Sequence, residues 1–420
     1  MRWLALPLLL SSCIPLPAYS VLTHEAIVDS AWDQSISPLL LQRFPNTTPD
    51  ELKKAHAYAY GGCIIQDMGY YPFGSKFFSD LVHYVRSGDF VEGLILEAQD
   101  VNEYAFALGA LAHYTADNNG HSLAVNRAVP MLYPKLRAEF GENVTYAENP
   151  SAHLKTEFGF DVLQVANGSY APDAYHDFIG FEVSKPALER AFERTYGLKL
   201  EDIFTSLDLA LGTYRHTVSV LIPEMTKAAW SAKKDDIIRA TPGITREKFL
   251  YNLSRASYEK EWNSQYEKPG WFARLLGFVF RVVPKVGPLR ALAFRPATPE
   301  TERLFMASFN ATLDRYRALL TDLRNRALNL ANQNLDVGRA TNAGQYELSD
   351  KAYAKLLDKL AGQKFAAVPA PLRANIVAFY SDLSGPIATK KHRGEWRKTL
   401  QELETLKSMA PVEAARSRTE

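Results

Sequence analysis

The stretch that decides the fold is LGALAHYTADNNGHSLAVN, residues 108–126, which carries His113, Asp117 and His121. These three residues fall at i, i+4 and i+8, so on an α-helix their side chains lie along one face. The flanking residues are small and apolar, which predicts a buried helix. Buried polar side chains need partners, and histidine with aspartate is an ordinary ligand set for zinc. The stretch therefore favours a metal site over a core of mutually hydrogen-bonded polar side chains.

A second histidine–carboxylate pair has the same one-turn spacing. His153 and Glu157 follow Asn149, Pro150 and Ser151, which are residues typical of a helix start. Taken alone, such a pair is more often a solvated surface ion pair than a ligand pair. The pair becomes a stronger ligand candidate because other histidines of the chain also lie beside apolar residues and near Asp or Glu.

Three further candidate ligands lie upstream. Asp67 is the carboxylate of an apolar, glycine-containing segment, 61–72, and we expect it in a turn rather than inside a helix. His83 lies among apolar residues, which indicates a buried side chain. His24 follows Thr23, which is expected to cap a helix that begins at His24. Four other histidines lack, in part or whole, the apolar neighbours and nearby carboxylates of these candidates, and they are left out of the ligand set: His56, His176, His216 and His392.

The order and spacing of these residues resemble the zinc-dependent phospholipase C superfamily. This group includes compact bacterial phospholipases C, S1/P1-type nucleases and the catalytic domain of glycosylphosphatidylinositol-specific phospholipase D. The resemblance covers about residues 19–180 and implies a phosphodiester hydrolase with up to three zinc ions. The implied ligands are, for the first ion, Asp67, His83, His113 and Asp117; for the second, His121, His153 and Glu157; and for the third, Asp117, His24 and the backbone amino and carbonyl groups of Tyr19.

One spacing departs from the usual family pattern. Three residues separate Asp117 from His121, whereas the compact phospholipases and the nucleases usually place five there. The shorter spacing and the Thr23-His24 start are similar to the glycosylphosphatidylinositol phospholipase D branch. The resemblance therefore implies a phospholipid or glycolipid substrate and disfavours nucleic acid.

The amino terminus has the pattern of a secretory signal. Residues 1–18 contain Arg2, a short apolar run and a polar, proline-bearing exit to Ala18. The apolar run is too short to span a bilayer. Cleavage after Ala18 would expose Tyr19, five residues before His24, which is the offset that the resemblance requires. We expect a secreted or periplasmic protein.

Two other interpretations of this terminus are possible. Cleavage after Ser20 satisfies the small-residue rule but would leave Val21 too close to His24 for the family pattern. The residues LSSC that end at Cys13 resemble a lipobox, which would make the protein a lipoprotein. A lipidated Cys13 would leave no free amine at Tyr19, so this interpretation ranks below the other two.

The net charge and the cysteine content indicate which partners and which cellular compartment to expect. Lys and Arg number 48 against 47 Asp and Glu, so no general basic excess attracts nucleic acid. Cys13 should leave with the signal, so Cys63 is alone and no intramolecular disulfide can form. Export without disulfides is typical of a bacterial periplasm or cell surface, where metal binding can stabilise the fold instead.

Helical periodicity dominates the chain and predicts an all-α protein. Apolar residues recur at helical spacing in the runs 101–126, 184–196, 206–232, 301–334, 350–362 and 370–383. Strand alternation is scarce, and no internal repeat is apparent. We therefore predict a multi-helix catalytic domain over 19–232, similar to phospholipase C and P1 nuclease, and a mostly helical C-terminal region over 233–420 of unknown role. The sequence does not indicate the oligomeric state.

One C-terminal segment combines basic and aromatic residues without acidic ones. Between 268 and 295, Lys and Arg alternate with Trp, Phe and Leu. This composition suits contact with a membrane surface. The alternative is a helix and loop packed on the catalytic domain, with the basic side chains extended toward water.

These observations predict a zinc-dependent phosphodiester hydrolase, most simply a secreted phospholipase C that acts on phospholipids. Asp67 is expected either to ligate the first ion or to act as general base. Phospholipase D-type cleavage and S1/P1-type nuclease activity remain alternatives on the same site. A non-catalytic, zinc-stabilised binding protein is a third alternative, but ligation by imidazole and carboxylate without cysteine favours catalysis.

Overall fold

The computed structural model describes residues 21–167, 181–218, 230–231, 233–239, 241–246, 248 and 294–409. Several sequence-based predictions lie outside these residues: the signal 1–18, the lipobox Cys13, the backbone ligand Tyr19, His176 and all of the basic segment except its last two residues.

The all-α prediction is confirmed, since the described residues form helices and no β-strand, with an isolated bridge between Asn334 and Arg339. The first helices are α1 (Val21–Ala31), α2 (Ser37–Arg43), α3 (Pro49–Ile64), α4 (Lys76–Tyr84), α5 (Ser87–Glu97), α6 (Val101–Asn119), α7 (Asn126–Leu132) and α8 (Pro134–Phe140). They are followed by α9 (Pro150–Asn167), α10 (Lys185–Tyr196), α11 (Leu207–His216), α12 (Pro299–Arg324), α13 (Glu347–Gly362), α14 (Ala370–Phe379) and α15 (Arg393–Ser408). In the described part of the chain, no helix is both long and apolar enough to cross a bilayer.

Helices α3 and α6 form the centre of the fold, and glycine permits their close approach. A Cβ atom added to Gly62 would lie 1.9 Å from a carbonyl oxygen of α6, and one added to Gly109 would lie 2.0 Å from the carbonyl oxygen of Ala59 on α3. Only a residue without a side chain allows these backbones to approach so closely. The approach brings the carbonyl oxygen of Cys63 within 2.9 Å of Nδ1 of His113.

The predicted helix starts are partly confirmed. Asn149 Oδ1 accepts a hydrogen bond from the backbone N–H of Ala152 at 2.9 Å, so the predicted start of α9 is correct. The prediction that Thr23 caps a helix is wrong. Thr23 lies inside α1 and donates its hydroxyl to Asp161 Oδ1 at 2.8 Å, because a buried carboxylate on α9 offers this hydroxyl a stronger acceptor than a helix end.

The run 101–126 is not one α-helix as predicted. Helix α6 ends at Asn119, and Gly120–Val125 forms a π-helical turn before α7 begins at Asn126. Periodicity alone cannot distinguish the two, because a single wide turn changes the spacing of apolar residues very little. Turns of this kind occur frequently at functional sites.

The predicted helix 301–334 also ends early, at Arg324. Arg326 adopts a left-handed conformation with φ 58°, which stops the helix. Apolar residues after this point, such as Leu330, continue the helical spacing but are buried against the catalytic part. The chain from 325 to 346, which we call the return loop, has no helix and runs back toward the candidate site.

The C-terminal region packs on the catalytic part. On α12, Tyr316 donates its hydroxyl to the carbonyl oxygen of Leu108 at 2.8 Å, and Phe305 stacks on Phe160 with ring centroids 4.7 Å apart. At the end of the basic segment, Arg295 donates to the carbonyl oxygen of Leu132 at 2.7 Å. These contacts give the two regions a shared core.

Candidate metal centre

The first group of candidate ligands gathers two histidines and two aspartates. Ligand atoms of Asp67, His83, His113 and Asp117 lie within 4.8 Å of one another, and all four side chains are buried. Asp117 Oδ2 lies 3.2 Å from His113 Nε2 and 3.3 Å from His83 Nε2. Asp67 Oδ1 lies 3.4 Å from His83 Nε2. The structure therefore brings together the four residues expected to hold the first ion.

Backbone carbonyl groups determine which nitrogen each of these imidazoles presents. His113 Nδ1 donates to the carbonyl oxygen of Cys63 at 2.9 Å, and His83 Nδ1 donates to that of Ser79 at 2.8 Å. Both Nε2 atoms therefore face the interior of the group, and they lie 3.3 Å apart. Two neutral rings would direct lone pairs at each other there, which is unfavourable unless a cation or proton lies between them.

Ser79 fixes the segment that carries Asp67 to the helix that carries His83. Asp67 was expected in a turn rather than inside a helix, but it lies inside the 3-10 helix Ile65–Tyr70, because the chain continues from α3 in tighter helical turns. The hydroxyl of Ser79 on α4 donates to the carbonyl oxygen of Gln66 at 2.5 Å and accepts from the backbone N–H of Gly69 at 3.0 Å. Both hydrogen bonds flank Asp67, so its carboxylate is held beside His83.

Within the first group, the histidines and the aspartates shift each other's pKa values toward the charged forms. Burial opposes protonation of His83, but the carboxylates of Asp117 and Asp67 outweigh it and raise its pKa well above the usual value. Burial also opposes ionisation of Asp117, but His113 and His83 outweigh it and hold its pKa well below the usual value. Protonated imidazoles thus neutralise buried carboxylates at a position where a divalent cation would do the same.

The second group consists of His121, His153 and Glu157, whose ligand atoms also lie within 4.8 Å of one another. His153 Nε2 donates to the carbonyl oxygen of Val144 at 2.6 Å, and its Nδ1 lies 3.6 Å from Glu157 Oε1. Within the described ranges, Nδ1 of both histidines and both carboxylate oxygens of Glu157 are buried without a hydrogen-bond partner. Such atoms are costly to bury unless something else satisfies them.

Burial also dominates the protonation of the second group. It raises the pKa of Glu157 well above its usual value and lowers the pKa of His153 to about 3 and that of His121 to about 4. The two imidazoles are therefore neutral at pH 7 and present lone pairs, as metal ligands must.

His24 lies next to the first group. Its Nε2 is 3.5 Å from Asp117 Oδ1, and its ring stacks on that of His113 with centroids 4.4 Å apart. Burial, with His113 next in importance, lowers the pKa of His24 to about 3. Asp117 thus points one oxygen toward His24 and the other toward His83 and His113.

The three residues of the opening stretch therefore serve different groups. His113 and Asp117 on α6 belong to the first, whereas His121 belongs to the second. The π-helical turn Gly120–Val125 begins between Asp117 and His121. Among the excluded histidines, His56 stacks on Trp32 and its Nε2 lies 2.9 Å from Asp29 Oδ1, and neither ligand group includes it.

One residue at this centre was missed from the sequence. Asp336, on the return loop, is buried with its Oδ1 3.3 Å from His121 Nε2. The available signal was a carboxylate between two apolar residues, Leu335 and Val337, which is similar to the carboxylate in a largely apolar segment that identified Asp67. Its distance in sequence from the other ligands hid the relation.

The donor set fits zinc. Imidazole nitrogens and carboxylate oxygens converge in two buried groups, and both groups contain atoms that no hydrogen bond within the described residues satisfies. Cys63 is not part of this set, because its buried thiol donates to the carbonyl oxygen of Tyr60 at 3.2 Å.

Comparison with protein families supports this assignment. Residues 23–204 match the family model described as zinc dependent phospholipase C. The matched range contains each described candidate ligand named from the sequence and leaves Asp336 outside it. No significant match was found among curated proteins or among solved structures.

Proposed function

We propose that this chain, whose residues 23–204 match the family model described as zinc dependent phospholipase C, hydrolyses the phosphodiester bond of phospholipids in the manner of a phospholipase C. The observation that carries the proposal is the pair of adjacent, buried His/Asp/Glu groups. The family match and these groups together make the protein a zinc-dependent phosphodiester hydrolase; the lipid substrate and the bond cleaved are the proposed part.

Each group has a distinct role in holding zinc. The first supplies Nε2 atoms of His83 and His113 with the carboxylates of Asp67 and Asp117. The second supplies His121, His153 and Glu157, three protein ligands among the described residues, which leaves room for substrate as catalytic sites require. When bound, zinc supplies Lewis acidity toward the phosphoryl oxygens and lowers the pKa of water.

We also propose a third zinc ion beside Asp117. Asp117 Oδ1 faces His24 at 3.5 Å while Oδ2 faces the first group, so this carboxylate can serve two ions. The remaining ligands would be the amino and carbonyl groups of Tyr19, exposed by cleavage after Ala18. This part of the proposal requires export, and it places the protein in the periplasm or outside the cell.

Asp67 is proposed to bind the first ion or to act as general base. Its Oδ1 is buried and has no hydrogen-bond partner within the described ranges, so it is available for either role. Burial, opposed by His113 and His83, raises the pKa of Asp67, which makes this carboxyl group a better proton acceptor than an exposed aspartate.

Product analysis tests the proposed reaction. The zinc-loaded mature protein is incubated with phosphatidylcholine vesicles, and separately with single-stranded nucleic acid. We expect phosphocholine and diacylglycerol. Phosphatidic acid would indicate D-type cleavage instead, nucleotides would indicate a nuclease, and no product from any substrate would contradict an enzymatic role.

The substitution Asp117→Asn tests the shared carboxylate. Because this residue faces three imidazoles, we expect the variant to lose phospholipid hydrolysis and to contain less zinc than the wild-type protein. Asp350→Asn is the matched control: Asp350 is also buried but accepts from the backbone N–H groups of Gly344 and Ala388 and belongs to neither ligand group. Full activity in Asp117→Asn would refute its role.

A further inference from the structure

The surroundings of His121 differ on the two sides of its ring. Nε2 lies 3.3 Å from Oδ1 of Asp336, whereas Nδ1 is buried and has no hydrogen-bond partner among the described residues. The two nitrogens of His153 also differ: Nε2 is hydrogen-bonded to a carbonyl oxygen, and Nδ1 is directed toward Glu157. Both histidines of the second group thus have an oxygen atom close to Nε2 and an unsatisfied Nδ1.

Asp336 is itself held by several hydrogen bonds that leave Oδ1 for His121. Its other oxygen, Oδ2, accepts the hydroxyl of Tyr84 on α4 at 2.8 Å and also accepts the hydroxyl of Tyr346. Its carbonyl oxygen accepts from the side-chain amide of Asn126 at 2.8 Å, and its N–H donates to Asn334 Oδ1 at 3.0 Å.

We propose that Asp336 is a positioning residue for the second zinc ion. Its carboxylate would accept a hydrogen bond from Nε2–H of His121, which fixes the tautomer and directs the Nδ1 lone pair toward zinc. This inference rests on the proposed function, since it assumes that zinc occupies the second group.

The geometry favours this role over direct ligation. Asp336 Oδ1 faces Nε2 of His121, on the side of the ring opposite the unsatisfied Nδ1. Asp336 also does not join the set of mutually close ligand atoms that His121, His153 and Glu157 form. A carboxylate that supports a ligating histidine in this way also increases the basicity of the imidazole and strengthens its bond to the metal.

The proposal gives the C-terminal region a function. The return loop is attached to the catalytic part on both sides of Asp336, because Leu335 N–H donates to the carbonyl oxygen of His83 at 3.1 Å and Gly338 lies against Asn118. The region beyond the family match would therefore complete the second ligand group, whose three ligands all come from the matched part.

Zinc affinity of the full-length protein tests the proposal. Affinity is measured by competition with a chromophoric chelator for the wild-type protein, Asp336→Asn and the control Asp350→Asn. The amide that replaces the Asp336 carboxylate can still accept from the tyrosine hydroxyl groups but carries no charge to support His121. We expect Asp336→Asn to bind its weakest-held zinc about 10- to 100-fold less tightly and Asp350→Asn to bind it as the wild type does.

Melting temperatures separate positioning from a general loss of stability. A merely structural role would lower the melting temperature of zinc-free and zinc-loaded protein equally, as we expect for Asp350→Asn. Asp336→Asn should instead reduce the increase that zinc produces. Tyr346→Phe, which keeps the carboxylate but removes one of its donors, should cause a smaller reduction of the same kind if Asp336→Asn proves too unstable to purify.

Three results would overturn the proposal. Unchanged zinc affinity in both Asp336→Asn and Tyr346→Phe would show that Asp336 does not support His121. Loss of one oxygen ligand in the X-ray absorption spectrum of Asp336→Asn would make Asp336 a direct ligand. Absence of zinc binding in the wild type would overturn the proposed function as well, whereas the first two results would leave it intact.

Discussion

At the scale of single residues, the centre is determined by the choice of imidazole nitrogen. The first group presents Nε2 because the carbonyl oxygens of Cys63 and Ser79 accept hydrogen bonds from Nδ1–H of His113 and His83. The second presents Nδ1, because Val144 and Asp336 lie at Nε2. The sequence identifies the histidines through local spacing, but the acceptors that select a nitrogen come from other segments, so the orientation of the rings could not be predicted.

We expect zinc binding to release protons. Glu157 and His83 have raised pKa values, so they retain protons in the metal-free protein that zinc must displace, whereas His121 and His153 are already neutral. Zinc affinity should therefore rise with pH as these protons are lost before binding. Titration calorimetry in two buffers of different ionisation enthalpy measures the release.

The substitution Glu157→Gln provides a comparison for this experiment. It removes one of the groups that carries a proton, so the number of protons released should fall even though some zinc still binds to the first group. A heat of binding that does not depend on the buffer in the wild-type protein would contradict the raised pKa values.

At the scale of elements, the centre depends on the contact between α3 and α6. Glycine at two reciprocal positions allows that contact, and the contact brings the carbonyl group of Cys63 to His113. The helices and several of their starts were predictable because capping residues and apolar periodicity are local signals. Two ends were not: the π-helical turn after Asn119 and the left-handed Arg326 both interrupt runs whose apolar spacing continues.

The substitution Gly109→Ala tests the helix contact. The new methyl group would lie 2.0 Å from the carbonyl oxygen of Ala59, so the helices must separate. We expect a loss of about 1–3 kcal/mol or more in the free energy of unfolding, typical of overpacked cores, together with weaker zinc binding. Chemical denaturation of zinc-free protein measures the first effect and chelator competition the second.

Gly212→Ala is the matched control for this prediction. Gly212 lies on α11, and a Cβ atom added there meets nothing within 4 Å. The substitution should leave zinc affinity unchanged and stabilise the protein by about 0.5–1 kcal/mol, because alanine is the better helix former. Equal effects of the two substitutions would show that the α3–α6 contact has no special importance.

At the scale of the whole molecule, the C-terminal region and the catalytic part share one core, and Asp336 of the C-terminal region lies beside the second ligand group. The sequence predicted two regions because the family resemblance ends at about residue 180, well before the C-terminal helical runs. The contact of Asp336 with His121, and that of Tyr316 with Leu108, join residues that are far apart in sequence. No local pattern encodes such contacts, so their existence could not be predicted.

A truncated chain that ends at residue 232 tests whether the catalytic part depends on the C-terminal region. It retains the candidate ligands of both groups but lacks α12 and the return loop, so Phe160 and the face of α6 that contacts Tyr316 would be exposed. We expect this fragment to aggregate or to unfold without cooperativity, and to bind less zinc than the full chain. A fragment that melts cooperatively and binds zinc as tightly as the full chain would show that the catalytic part is independent.

The measurement that tests the account most directly is the zinc content of the protein, purified without added metal and analysed by elemental methods. Two buried groups of ligands predict at least two zinc ions per chain, and removal of these ions by a chelator should lower the melting temperature. A folded protein that contains no transition metal, and whose melting temperature is the same with and without chelator, would contradict the account.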